Sequence, residues 1–290
     1  MRIAEFYGLE RPVFSFEFFP PATEAGHNTL MKTIDELRGL APDFISVTYG
    51  AGGSTRDRTL DLVSFVKNDV GIEAMAHLTC VGASREEISS VLDRLQDAGI
   101  ENVIALRGDP PKGETEFVPH PDGLTHATEL VHLIREEKRP FCLAAACYPE
   151  KHVEAQSMES DLEHLNEKVN AGAEVLISQL FFDNEAFLRF RDRASAAGIT
   201  VPIVAGIMPI TNLSQIERFT GQIGATIPRS LHERLDPHRE DNAEVERIGT
   251  EYGLAQCEEL LAEGVQGVHF YTLNKSQATR NILAGLRTSA

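Results

Sequence analysis

Apolar positions along this chain fall into eight short runs, at residues 13–18, 44–48, 74–78, 102–106, 141–146, 175–179, 201–206 and 267–272. Runs this short, bounded by turn residues, predict strands rather than helices. Between them the apolar residues switch to helical spacing, as in Leu30, Ile34 and Leu37, in Ile88, Leu92 and Leu95, and in Leu162, Leu165 and Val169. Two of the helices are expected to open with capping boxes, because Ser54 precedes Asp57 by three and Ser84 precedes Glu87 by three. Four end in nearly the same phrase: Ala98-Gly99-Ile100, Ala171-Gly172-Ala173, Ala197-Gly198-Ile199 and Glu263-Gly264-Val265. Each glycine can take the left-handed conformation that stops a helix, and a strand soon follows.

Strand and helix alternating in this way imply parallel strands covered by helices. Eight such units close a barrel of ordinary size, so the expected fold is α/β, a (β/α)8 TIM barrel. The segment 227–241, rich in Pro, Arg and His, is expected to be an irregular insertion ahead of a long helix over 242–263. No shift in composition divides the chain, and residues 1–290 read as a single catalytic barrel domain.

Composition narrows the partners. The chain is 42% hydrophobic and 24% charged, which is ample for a large core. A net charge of −17 disfavours nucleic acid and anionic membrane surfaces, so an anionic ligand needs a local basic patch. Cys80, Cys142, Cys147 and Cys257 show neither CxxC nor zinc spacing, and reduced thiols with no metal site are expected. Residues 1–10 carry no apolar leader and no run approaches a membrane span, so the expected location is cytoplasmic.

In a β/α barrel the chemistry lies where the strands end. Asn102-Val-Ile-Ala-Leu-Arg107-Gly108-Asp109 is an apolar strand that delivers an arginine, a flexible unit and a carboxylate just before two prolines. That triplet suits a ligand contact or a loop-closing ion pair. Glu17, in Ser15-Phe-Glu-Phe-Phe-Pro-Pro21, is a carboxylate set inside a strand. The two-residue period puts Ser15 and Glu17 on one face and Phe16 and Phe18 on the other. Helices cover the outer face, which claims the phenylalanines, so Glu17 is expected to point inward. In an apolar mouth its pKa should rise, which suits a general acid.

The remaining strand ends offer Thr48-Tyr49-Gly50, His77-Leu-Thr-Cys80, Tyr148-Pro-Glu-Lys-His152, Gln179-Leu-Phe-Phe-Asp183, Gly206-Ile-Met-Pro209 and His269-Phe-Tyr-Thr-Leu-Asn-Lys275. A lone His77 is most simply a hydrogen-bonded structural histidine. His269 and Tyr271 alternate with Phe270, making one side of their strand polar. Cys142 and Cys147, five apart, belong on opposite faces as packing residues. The glycine-rich segment 49–56 could bind phosphate through backbone amides and a helix N-terminus, but it matches neither GxGxxG nor a P-loop. The residues alone thus give a barrel enzyme with an acid, a second carboxylate and an aromatic-lined mouth, and leave its reaction open.

The motifs Ser-Phe-Glu-Phe-Phe-Pro-Pro, Val-Thr-Tyr-Gly, His-Leu-Thr-Cys, Leu-Arg-Gly-Asp, Tyr-Pro-Glu and His-Phe-Tyr-Thr-Leu-Asn together resemble methylenetetrahydrofolate reductase of the bacterial type. They fall in the family's order and span nearly the whole chain. The resemblance implies an FAD-containing β8α8 barrel without a Rossmann or regulatory domain, consistent with the missing GxGxxG. It further implies that NADH or NADPH reduces the flavin and leaves, after which 5,10-methylenetetrahydrofolate takes its place and becomes 5-methyltetrahydrofolate. Homo-oligomers are expected on the same ground.

By that resemblance Glu17 matches the acid that helps open the folate five-membered ring, and Asp109 the carboxylate near flavin and pterin. Gln179, Phe219 and Tyr271 match folate or nicotinamide contacts. Thr48, His77, Arg107, Gly108, Tyr148, His152, Asp161 and Lys168 fall on FAD-binding positions. Lys275 stands where the family often has arginine, losing a bidentate partner. His164 and Glu167 stand where Asn and Arg are usual. A pterin-binding barrel methyltransferase, a barrel aldolase and a non-catalytic folate-binding barrel are the alternatives; bound flavin bleached by NADH would set a reductase apart from all three.

Overall fold

The structure, a computed structural model, describes residues 1–50, 55–110, 113, 117–275 and 277–288. All eight expected strands form, with edges moved by no more than two residues: β1 (Val13–Phe18), β2 (Phe44–Val47), β3 (Glu73–Thr79), β4 (Asn102–Leu106), β5 (Cys142–Cys147), β6 (Val175–Ser178), β7 (Ile203–Ile207) and β8 (Gly267–Tyr271). They pair in parallel in chain order, and β8 returns to β1 to close the barrel.

Helices fill the intervals. They are α1 (Ile3–Phe6), α2 (Glu24–Arg38), α3 (Arg56–Phe65), α4 (Arg85–Asp97), α5 (Ala127–Glu136), α6 (Met158–Ala171), α7 (Asn184–Ala196), α8 (Leu213–Ile223), α9 (Arg229–Leu235), α10 (Asn242–Ala262) and α11 (Gln277–Thr288). Gly99, Gly172, Gly198 and Gly264 all have positive φ, as four repeated helix stops require. The capping box at Ser84 is complete: its Oγ accepts from Glu87 N at 3.2 Å, and Glu87 Oε2 accepts from Ser84 N at 2.8 Å. Ser54 lies outside the described residues, and Thr55, next before α3, makes no side-chain cap bond.

Two cores follow from the strand period. Outward residues such as Phe16, Phe18, Ile45, Ala76 and Phe270 pack against helices. Inward residues Val13, Phe44, Met75, Ile104, Cys142, Val175 and Val204 fill the barrel, joined from below by Ile3 and Tyr7 of the N-terminal segment. That floor is tied down by Asn102, whose fully buried carboxamide accepts from Ile3 N at 2.8 Å and donates to Met1 O at 3.1 Å. Cys142 and Cys147 belong to different clusters, one inside the barrel and one under the helices, and all four cysteines are free and buried.

The segment 227–241 departs from expectation. It is not irregular but carries α9 and a 3-10 turn at Asp236–His238. Leu231 and Leu235, four apart, sink into a satellite core with Leu213, Ile216, Val245 and Ile248, and this burial holds the helix despite its polar composition. Among the described residues no helix is long and apolar enough to cross a membrane.

Candidate active site

A cleft of about 490 Å³ opens at the C-terminal ends of the strands. Ten expected site residues line it: Glu17, Thr48, His77, Arg107, Gly108, Asp109, Tyr148, Gln179, Tyr271 and, from α8, Phe219; His152 adds an eleventh. Ile104, Leu106, Ile177, Leu180, Met208 and Ile223 give it apolar walls.

Glu17 points inward, as its alternation with Phe16 and Phe18 requires. Its Oε2 lies 3.2 Å from His77 Nε2 and 3.5 Å from His269 Nε2. The expected rise of its pKa is not found. Burial does act to raise it, but the charge of His77 and the hydrogen bond with His269 outweigh burial and hold the carboxyl at about 2. The mouth is apolar in part, yet the two imidazoles sit on the one oxygen that matters. Glu17 is therefore ionised at neutral pH. Among the described residues no protein group bonds its Oε1, which leaves that oxygen to a ligand.

His77 departs from the simple reading too. It is buried, yet its Nε2 has no aligned hydrogen-bond partner, and neither has the hydroxyl of neighbouring Thr79. Buried polar groups are seldom left so. Nearby, Gly108 has φ +89°, and a Cβ there would come within 2.7 Å of Val81 Cγ1 and 2.8 Å of Thr79 Cβ. Only glycine lets the backbone run this close beneath the mouth.

Arg107 does not pair with Asp109. Its guanidinium grips Glu154 through two bonds, at 2.5 and 2.8 Å, and lies 5.2 Å from the Phe117 ring centroid. Asp109 is exposed at the rim. Tyr148 and His152 meet edge to face at 4.7 Å, and His152 Nδ1 accepts from Glu154 N. Gln179 Oε1 accepts from Leu180 N at 2.9 Å, which turns its NH₂ group toward other partners. Tyr271 OH donates to Ser178 O at 2.6 Å.

Three expected residues do not line the cleft. Asp161 Oδ2 accepts from His152 N at 2.8 Å, and Lys168 Nζ donates to Ala146 O at 2.7 Å, its pKa lowered by burial. Both thus support the β5 end from behind. Lys275 is exposed on the loop after β8. His164 and Glu167 pair with each other at 3.3 Å on the outer surface of α6. The phosphate-loop expectation for 49–56 falls largely on residues outside those described; at its edges Gly50 N donates to Thr55 Oγ1 and Arg56 Nε to Tyr49 OH. Thr79, Ser15 and Ser46 were not candidates from the sequence, and His269 was one only as a polar residue of its strand. The shared face of Ser15 with Glu17, and of His269 with Tyr271, was the available signal.

The flavin that the resemblance implies fits this cleft: apolar walls, a close backbone approach at Gly108, and the buried Thr79 hydroxyl left without a hydrogen-bond partner suit a flat ring with polar edges. A sequence profile described as methylenetetrahydrofolate reductase matches residues 2–287. The chain belongs to the methylenetetrahydrofolate reductase family.

Among relatives in this family, a Pectobacterium carotovorum 5,10-methylenetetrahydrofolate reductase is 41% identical over 263 residues, covering 91% of this chain and 86% of its own. The Escherichia coli protein of that name is 40% identical with the same coverage. A maize methylenetetrahydrofolate reductase (NADH) is 39% identical over 98% of this chain, which spans about half the length of the maize protein. Among solved structures, a Clostridium thermocellum protein described as binding two copies of 5-methyl-5,6,7,8-tetrahydrofolic acid superimposes with a TM-score of 0.62, at 17% identity, over 98% of this chain and 97% of its own. At that identity the likeness is one of fold.

Proposed function

We propose that this barrel catalyses the flavin-dependent reduction of 5,10-methylenetetrahydrofolate to 5-methyltetrahydrofolate, with NADH as the electron donor. The observation that carries this is the convergence of Glu17, Asp109 and nine other family-matched positions on one cleft, in a chain of this family. The names of the maize and rice relatives give NADH as donor for those proteins.

Thr48, His77, Arg107, Gly108, Tyr148 and His152 would hold the FAD, with Asp161 and Lys168 steadying the β5 end behind them. When bound, the flavin supplies a hydride carrier between nicotinamide and folate. Gln179, Phe219 and Tyr271 line the space where either substrate would lie. Asp109, at the rim, places a negative charge where a cationic folate species would be stabilised.

Glu17 serves the folate step. Opening the five-membered ring requires a proton on the departing nitrogen. Because the resting carboxylate is ionised, Glu17 first takes up a proton at Oε1 from the open mouth of the cleft, while His77 and His269, both within 3.5 Å, hold Oε2. Its Oε1 is the oxygen that hands the proton on.

The test is spectroscopic. Purified protein should be yellow, NADH should bleach it under anaerobic conditions, and methylenetetrahydrofolate should restore the colour with formation of the 5-methyl product. Colourless protein that binds folate and oxidises no NADH would overturn the reading in favour of a binding barrel.

A further inference from the structure

Deep to Glu17 lies a buried polar layer. His269, Ser15 and Ser46 are each 0% exposed. The ring of His269 is held on every side. Its Nδ1 is 2.7 Å from Ser15 Oγ, its Nε2 is 3.3 Å from Ser46 Oγ and 3.5 Å from Glu17 Oε2, Phe44 stacks on it at 6.0 Å, and Tyr271 meets it edge-on at 5.4 Å. Strand register produces this: Ser15 stands directly opposite His269 across β1 and β8, and Glu17 opposite Ser46 across β1 and β2.

Counting donors fixes the ring. A serine hydroxyl has one proton, and a neutral imidazole has one N–H. If Nδ1 carried that proton, the bare lone pair of Nε2 would face the Glu17 carboxylate, acceptor against acceptor. If Ser15 donates to Nδ1, Nε2–H faces Glu17 Oε2 and Ser46 Oγ, and both ring nitrogens are matched. Ser15 makes the shorter of the two serine contacts, so it is the group placed to hold this form.

We propose that Ser15 and His269 are positioning residues for Glu17: the serine holds the imidazole with Nε2–H toward Oε2, which keeps the carboxylate turned so that Oε1 meets the folate. This rests on the assignment of Glu17 to proton delivery. The titratable groups facing Glu17 are His269 and Tyr271 from β8 and His77 from β3; Arg107, Asp109, Tyr148 and His152 share the wider cleft. None of them replaces the Ser15 bond.

Two measurements test it. In ligand-free wild-type protein labelled with ¹⁵N-histidine, the buried ring, identified by its loss in His269→Gln, should show Nδ1 unprotonated and Nε2 protonated; Ser15→Ala should abolish that preference. A wild-type ring protonated on Nδ1 alone overturns the proposal, whether or not any variant folds. In stopped flow, Ser15→Ala should leave NADH reduction of the flavin within about twofold, slow the folate half-reaction at least tenfold, and shift its pH profile. An unshifted profile at full folate rate overturns the proposal. Failure of the underlying reading looks different: there Glu17→Gln itself would leave the folate half-reaction unchanged while the nitrogen spectra still report the tautomer.

Discussion

His77 Nε2 stands 3.2 Å from Glu17 Oε2, yet outside hydrogen-bonding alignment. The pair interacts through charge, and that charge has a consequence for stability. Glu17 is held at about 2 rather than at 4.5, which corresponds to roughly 3 kcal/mol favouring the folded, ionised state. The folded value lies below the unfolded one, so the contribution is complete above the ordinary carboxylate range and lost as pH falls toward about 2. Glu17→Gln should therefore cost most stability near neutral pH, and the gap from wild type should narrow by about pH 3. Urea unfolding of both proteins across that range measures it.

Catalysis should divide the same residue's duties. NADH gives up a hydride with no ring to open, so Glu17→Gln is expected to keep flavin reduction within about tenfold of wild type. The folate half-reaction should fall by ~10²–10⁴, the usual contribution of a positioned acid. Equal slowing of both steps in stopped flow would make Glu17 a structural support of the mouth instead.

Gly108→Ala combines two faults. Its φ of +89° is a conformation side chains seldom adopt, and its new Cβ would press on Val81 and Thr79. A loss of roughly 1–3 kcal/mol of stability is expected from strain alone. Because the loop carries Arg107 and Asp109, flavin retention should drop as well. Thermal unfolding and flavin release on dilution report the two effects separately.

Glu154→Gln should do the opposite to binding. Glu154 is well exposed and spends its carboxylate on Arg107, so its loss should cost at most ~1 kcal/mol in stability. It also frees a cation at the cleft. Retained flavin, which carries phosphate, should dissociate more slowly, as fluorescence recovery on dilution will show; faster release would mean that Glu154 orients Arg107 toward the cofactor.

The barrel was largely legible in the chain, because each strand and helix announces itself through its own neighbours. Glu17 could be aimed inward from Phe16 and Phe18 alone. Its protonation could not be read, since the two histidines that decide it come from β3 and β8, and only the closed barrel sets them on one oxygen. Arg107 likewise hid its partner, which lies 47 residues on. The helix α9 escaped notice because two leucines carry it in an otherwise polar stretch, and what they pack against is supplied by α8 and α10.

The packed floor of the barrel has one last consequence. With Ile3, Tyr7, Val13, Phe44 and Met75 filling the lower end, nothing can be pushed through from behind. Every molecule that enters must back out by the same door. A single bulky compound lodged in that doorway would silence both halves of the proposed reaction at once, and either substrate in excess should relieve the block by competing for the same door.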